Sequence, residues 1–126
     1  MRLLLDTHAF IWFLAGDRRL SQRARRAIED GRNAIYASAA VAYELAYKRD
    51  YGAATAKIVD EFGDGLREGR FEELPVSVRH ATAAAELPSS HRDPWDRLLM
   101  AQAKLEELIV VTRDGVFEKY GLKTLW

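Results

Sequence analysis

The chain has 126 residues, enough for one domain and not for two, and 48% of them are apolar, so a single core can form without staples. Its 19 basic and 19 acidic residues cancel, so bulk charge predicts no affinity for nucleic acid. There is no cysteine, which excludes disulfides, thiolate metal sites and a cysteine nucleophile and is compatible with a reducing cytoplasm.

Leu3, Leu4 and Leu5 form a short apolar run that ends at Asp6, Thr7 and His8. Such a run, bounded by polar residues, predicts a strand buried on both faces. An acid inside it is unlike a signal peptide, and no apolar stretch nears the ~18 residues needed to span a membrane. Residues 8–15 predict a short buried helix ended by Gly16 and Asp17. Ser21 caps a second helix that runs to Asp30, with Gly31 as its stop. That segment carries Arg18, Arg19, Arg23, Arg25 and Arg26, which read either as a solvated face or as a grip on a nucleic-acid backbone.

Ile35 and Tyr36 predict a second strand, and Ser38 caps a helix over residues 39–50. Ala39 to Tyr47 is apolar or aromatic all round apart from Glu44, which predicts a buried helix holding one carboxylate. The Glu44–Lys48 spacing is also that of an ordinary i,i+4 ion pair. Residues 52–70 have helical period but are interrupted by Gly63 and Gly65. Residues 71–76 predict a strand placed at an edge or end by Pro75. Ser77 caps a helix to Leu87, and residues 88–90 form a loop. Asp93 before Pro94 is a strong helix start, with Asp96 in its first turn. Ile109 to Thr112 predict another buried strand, left by Arg113 and Asp114 as the first is left by Asp6. Phe117 and Tyr120 suggest a short helix, and residues 123–126 a last strand. Strands alternate with helices, so the class is α/β with a mostly parallel central sheet flanked by helices, one domain over residues 1–126.

Open parallel sheets bind ligands at the carboxyl ends of their strands. Asp6, Glu44, Asp96 and Asp114 are therefore expected to converge at one such edge, where carboxylates repel unless a cation holds them. Oxygen ligands select Mg²⁺ or Mn²⁺, which bind phosphates and activate water for attack on a phosphodiester.

Several segments bear a resemblance in common. They are Leu4-Leu5-Asp6-Thr7-His8; Ser38 with Glu44, Leu45, Ala46 and Lys48; His91-x-Asp93-Pro94-Trp95-Asp96-Arg97-x-Leu99-x-Ala101-Gln102-Ala103; Val111-Thr112-x-Asp114; and Leu125-Trp126. In this order they resemble the PIN-domain ribonucleases, specifically the VapC-type toxins of toxin–antitoxin pairs. The Asp-Pro-aromatic-Asp-Arg block is the specific part. Val41 and Tyr43 stand where relatives often carry Ser and Trp.

The resemblance implies that Asp6, Glu44, Asp96 and Asp114 form the acidic metal site, with Asp93 close enough to help directly or through water. Thr112 would orient a ligand, and Lys48 and Arg97 would steady Glu44 and Asp96 or touch phosphate. It further implies metal-dependent cleavage of RNA, single-stranded or in loops. A homodimer and a small VapB-type antitoxin, whose tail covers the acids, are implied as well. Trp12, Phe13, Tyr43, Tyr47 and Tyr51 exceed what one small core needs, although each can be ordinary packing. His8 and His91 read as proton shuttles or as hydrogen-bonded structural groups. Two rivals use the same features: a phosphotransfer or phosphatase domain in which Asp6 is the nucleophile, and a non-catalytic RNA- or protein-binding module on the same fold.

Overall fold

Leu3, Leu4 and Leu5 are fully buried and form the central strand of a five-stranded sheet. The structure, a computed structural model, describes backbone and side chains for residues 1–49, 56–88 and 93–126, and the backbone alone for 53–55. Strand β1 (Arg2–Leu5) pairs in parallel with β2 (Ala34–Ser38) on one side and β4 (Ile109–Val111) on the other. β3 (Glu72–Leu74) extends the sheet beyond β2, and β5 (Thr124–Leu125) beyond β4, so the order is β3-β2-β1-β4-β5 with every pairing parallel. The chain winds outward from β1 to β3, then returns to the other side of β1 for β4. This reversal puts the topological switch point, where doubly wound sheets open a ligand crevice, between β1 and β4.

The side-chain caps expected from the sequence at Ser21, Ser38, Ser77 and Asp93 are formed, and Asp6, read from the sequence only as a site acid, is a fifth. Asp6 caps α1 (Thr7–Leu14), Ser21 caps α2 (Gln22–Glu29), Ser38 caps α3 (Ala39–Tyr47), Ser77 caps α5 (Val78–Glu86) and Asp93 caps α6 (Pro94–Leu105). Each cap lends an oxygen to an amide that has no helical partner. Two expectations are corrected at helix ends. Gly31 does not close α2, because the helix leaves through an extended Asp30. α3 ends at Tyr47, short of Asp50, which lies outside the described residues along with Tyr51 and His91. The burial expected all round α3 is corrected too. Ala40, Val41, Glu44 and Leu45 are buried, whereas Tyr43 and Tyr47 are 61% and 63% exposed. An unbroken apolar pattern cannot show which face meets solvent.

Gly63 and Gly65 do not interrupt the next helix. α4 (Ala53–Arg67) runs through both. Gly65 is required by packing: a Cβ there would lie 2.6 Å from Cδ2 of Phe71. Phe71 is itself locked against Phe10, with ring centroids 5.2 Å apart, so it has little room to yield. Gly65→Ala is expected to destabilise the protein by about 1–3 kcal/mol through overpacking. Gly63→Ala, whose Cβ would meet only the end of Arg67, should cost less and can gain from helix propensity. Urea titration of the two variants measures the difference, and equal stabilities would show that Phe71 moves aside.

Candidate active site at the carboxyl edge of the sheet

Leu5 is paired with Val111, so Asp6 and Thr112 leave adjacent strands side by side. The Asp6 amide donates to the Val111 carbonyl at 3.2 Å, and its side chain turns to accept the Ala9 amide at 2.7 Å. Thr112, 3% exposed, works in two directions. Its hydroxyl oxygen accepts the Asp114 amide at 3.0 Å and its proton is donated to the Asp6 carboxylate. Thr112 thereby ties Asp6 to the start of the loop that carries Asp114. Burial raises the Asp6 pKa above the usual carboxylate range, against the lowering effect of Thr112, the Ala9 amide and His8. The nearby Asp114 raises it further. Asp114 is exposed, and its Oδ1 accepts the Val116 amide at 3.0 Å at the start of α7 (Val116–Lys119). Asp6 and Asp114 line one cleft of about 400 Å³ with His8, Trp12, Arg19 and Arg113.

Glu44 reaches this edge through Thr7, the residue after Asp6. The Thr7 hydroxyl donates to Glu44 Oε1 at 2.5 Å, and Lys48 Nζ donates to Oε2 at 2.7 Å. The two readings of Glu44 therefore meet: it is buried and it is in an i,i+4 ion pair. Lys48 also lies over the Trp95 ring, 5.1 Å from its centroid, as expected for a partner that steadies Glu44. Asp96 is half-buried in the first turn of α6, beside Trp95. α6 leads into β4, the strand beside β1. Asp93 is exposed and accepts the Trp95 and Asp96 amides at 3.0 and 3.3 Å, which is capping work. Arg97 is directed to the end of α5, where it donates to the carbonyls of Ala85, Leu87 and Pro88 at 3.1, 2.7 and 2.9 Å. These bonds hold the corner between α5 and α6.

Of the four acids, two are brought together. Asp6 and Asp114 meet in the cleft, while Glu44 is engaged by Thr7 and Lys48. Among the described residues no three acidic or histidine side chains gather as a ready metal-ligating group. The donors still fit a hard cation. Asp6 is a buried oxygen donor whose ionised form is opposed by burial and by Asp114, and a divalent ion would relieve both. Mg²⁺ commonly uses only one or two carboxylates and keeps several waters.

Residues without an assigned role in the sequence complete the edge. Gln102, fully buried, accepts the Ser38 hydroxyl at 2.6 Å and donates to the Pro75 carbonyl at 3.1 Å, tying α6 to the ends of β2 and β3. Its place in an apolar stretch of a helix was the available signal. Of the arginine run, Arg19 alone lines the acidic cleft. Arg25 reaches the Asp17 carbonyl, Glu29 and the Phe13 ring, and Arg26 reaches Gln22.

The structure is an all-parallel α/β sheet with two carboxylates and a bridging threonine at its switch point. Residues 3–123 match the PIN domain, and the chain belongs to that family, whose members are nucleases as a class. The fold is shared with solved structures at low identity. A chain of VapBC2 from Rickettsia felis, bound to promoter DNA, superposes with a TM-score of 0.73 at 18% identity, covering 99% of this chain and 98% of that one. DNA-bound VapBC from Salmonella typhimurium gives 0.73 at 16% identity, covering 99% and 97%. A toxin–antitoxin complex from Klebsiella pneumoniae gives 0.61 at 24%, covering 90% and 87%. No curated protein matches the sequence. Among the described residues no helix is long and apolar enough to cross a membrane.

Proposed function

We propose that this chain is a Mg²⁺- or Mn²⁺-dependent endoribonuclease, the toxin of a cytoplasmic VapBC-type toxin–antitoxin pair. The observation that carries the reading is the Asp6–Thr112–Asp114 arrangement at the switch point of a PIN domain. Asp6 and Asp114 would hold the ion, with Asp96, Glu44 and Asp93 acting on it directly or through water. When bound, the ion supplies activation of water and neutralisation of charge on the phosphodiester. Thr112 holds the Asp6 carboxylate in place. Thr7 and Lys48 hold Glu44 against rotation. Single-stranded or loop RNA is the favoured substrate, because its bases and backbone are accessible.

The exposed Tyr43 and Tyr47, in ring contact with Trp95 at 6.0 and 5.9 Å, supply an aromatic surface that an antitoxin or a second copy of this chain can cover. This supports a protein partner, which in this reading is a small antitoxin whose tail would cover the acids; a toxin–antitoxin complex is among the structures that share the fold. The test is cleavage of a panel of single-stranded and hairpin RNAs by purified, partner-free protein with Mg²⁺ or Mn²⁺. Cleavage is expected to stop with chelator and in Asp96→Asn. Cleavage indifferent to both would remove the assignment, and a stable phosphate on Asp6 would replace it with phosphotransfer.

A further inference from the structure

Trp12 forms a wall of the acidic cleft, and two guanidiniums rest on it. The Cζ atoms of Arg19 and Arg113 lie 5.0 and 4.7 Å from its ring centroid. His8 packs against the same indole at 5.5 Å and Trp126 meets it edge-on at 5.9 Å, so the ring is held from several sides and is only 5% exposed. The two arginines come from opposite ends of the chain: the turn after α1, and the residue after Thr112. Both are exposed at the cleft mouth.

Two guanidiniums on one ring lie within about a Debye length (~10 Å at 0.1 M salt) and repel. Attraction to the indole, about 0.5–1 kcal/mol for each at an exposed site, offsets this. Arg19 is further fixed by Asp17, at 2.8 Å from Nη2 to Oδ2. Arg113 has no acidic partner in an ion pair among the described residues. Stacking occupies the flat face of a guanidinium and leaves its edge N–H groups to take an anion; on Arg113 the whole edge serves, whereas on Arg19 the Nε and Nη2 edge is taken by Asp17 and Nη1 is what remains. The Asp6 and Asp114 carboxylates balance this positive charge in the bare cleft. Once a divalent cation neutralises them, Arg113 becomes the surplus charge of the cleft, Arg19 being paired with Asp17.

We propose that the Arg19–Trp12–Arg113 stack seats a backbone phosphate of the RNA next to the one being cut. The proposal rests on the nuclease reading and adds a substrate-positioning site to it. The ligand chemistry is a phosphodiester, which a planar N–H fork matches in two bonds.

The test uses the full chain and a fluorescein-labelled single-stranded oligoribonucleotide of mixed sequence. Binding is measured by anisotropy across a salt series with Ca²⁺ in place of Mg²⁺. Arg113→Gln and Arg19→Gln are compared with Arg32→Gln, which removes the same charge from the loop before β2. Each cleft variant should bind several-fold more weakly at low salt and lose about 0.7 from the slope of log K against log salt, the loss of one phosphate contact to a single strand. Arg32→Gln should change neither. Arg113→Lys should retain the slope while losing part of the affinity, and thermal melts should show all four variants folded. If both cleft variants behave like Arg32→Gln while the wild type binds and cleaves RNA, the seat is wrong and the nuclease reading stands. A wild type that neither binds nor cleaves RNA removes both. If Arg113→Gln loses binding to poly-glutamate and keeps its RNA binding, the stack serves an acidic protein segment and the proposal fails.

Discussion

Asp6→Asn is expected to abolish cleavage and, in the same molecule, to raise the thermal stability of the metal-free protein. The carboxylate is buried, and burial together with Asp114 opposes its ionised form. Asparagine keeps an oxygen for the Ala9 amide, so the α1 cap survives while the unfavourable charge goes. The direction with pH follows from linkage. A carboxyl whose folded pKa is raised contributes stability that is fully present below its unfolded value, near 3.8, and is lost as pH rises through the folded value. Metal-free wild type should therefore weaken as pH rises from about 3.8 through the raised folded value, and Asp6→Asn should not.

At lower pH the sign reverses in both proteins. Arg19 and Arg32 hold Asp17 and Asp30 down to about 2, so whatever those pairs contribute fades as pH falls from about 4 toward 2. Divalent metal should then invert the ranking. At 100 times its dissociation constant an ion that binds only the folded state adds about 2.7 kcal/mol, available to the wild type and largely denied to the variant. Melting curves at pH 5 and 7.5, with chelator and with Mn²⁺, read out all of this. Activity should fall by at least ~100-fold. A variant that melts lower than wild type without metal would show that Asp6 is there to stabilise the fold. Equal metal-induced shifts would remove it as a ligand.

Local chemistry carried much of this structure into the sequence. The apolar runs at Leu3–Leu5 and Ile109–Val111 became adjacent central strands, and four of the helices start at Ser or Asp caps that could be read directly. What was not legible depends on contacts between distant segments. Gly63 and Gly65 read as breaks because the reason for Gly65, the ring of Phe71, is supplied from outside the helix. Glu44 offered two readings because its second partner, Thr7, lies 37 positions away. The arginine run gave no means of choosing Arg19, since the ring that selects it also gathers Arg113 from the far end of the chain. Asp6 and Asp114 could be placed at one edge by topology, since each follows one of two adjacent parallel strands. Which acids share a cleft depends on side-chain partners such as Lys48 and Thr112.

Gln102→Ala is expected to produce the largest loss of stability among substitutions away from the acids, about 2–4 kcal/mol, or a melting temperature lowered by roughly 10 °C. Two costs add. Truncating a fully buried side chain leaves a cavity in the most tightly packed part of α6, beside Leu99 and Met100. It also strands the Ser38 hydroxyl and the Pro75 carbonyl, each of which has its donor or acceptor in the Gln102 amide. Gln102→Leu separates the two costs. It restores most of the volume and leaves the polar partners unmatched, so it should lie between wild type and Gln102→Ala, about 1–3 kcal/mol down. Ser38→Ala should cost about 1–2 kcal/mol, because Ser38 also accepts the Ala40 amide as the cap of α3. The effects of Ser38→Ala and Gln102→Leu should be less than additive, since each removes the same bond. The consequence for function follows from position. Gln102 fixes α6, which carries Asp96, to the strand end that launches α3, which carries Glu44. A loosened tie should lower kcat in Gln102→Leu at temperatures where the variant is fully folded, with KM little changed. Denaturant titration and RNA-cleavage kinetics on the same samples measure both parts, and a Gln102→Leu protein as stable and as active as wild type would show that neither the bond nor the register of α6 depends on this amide.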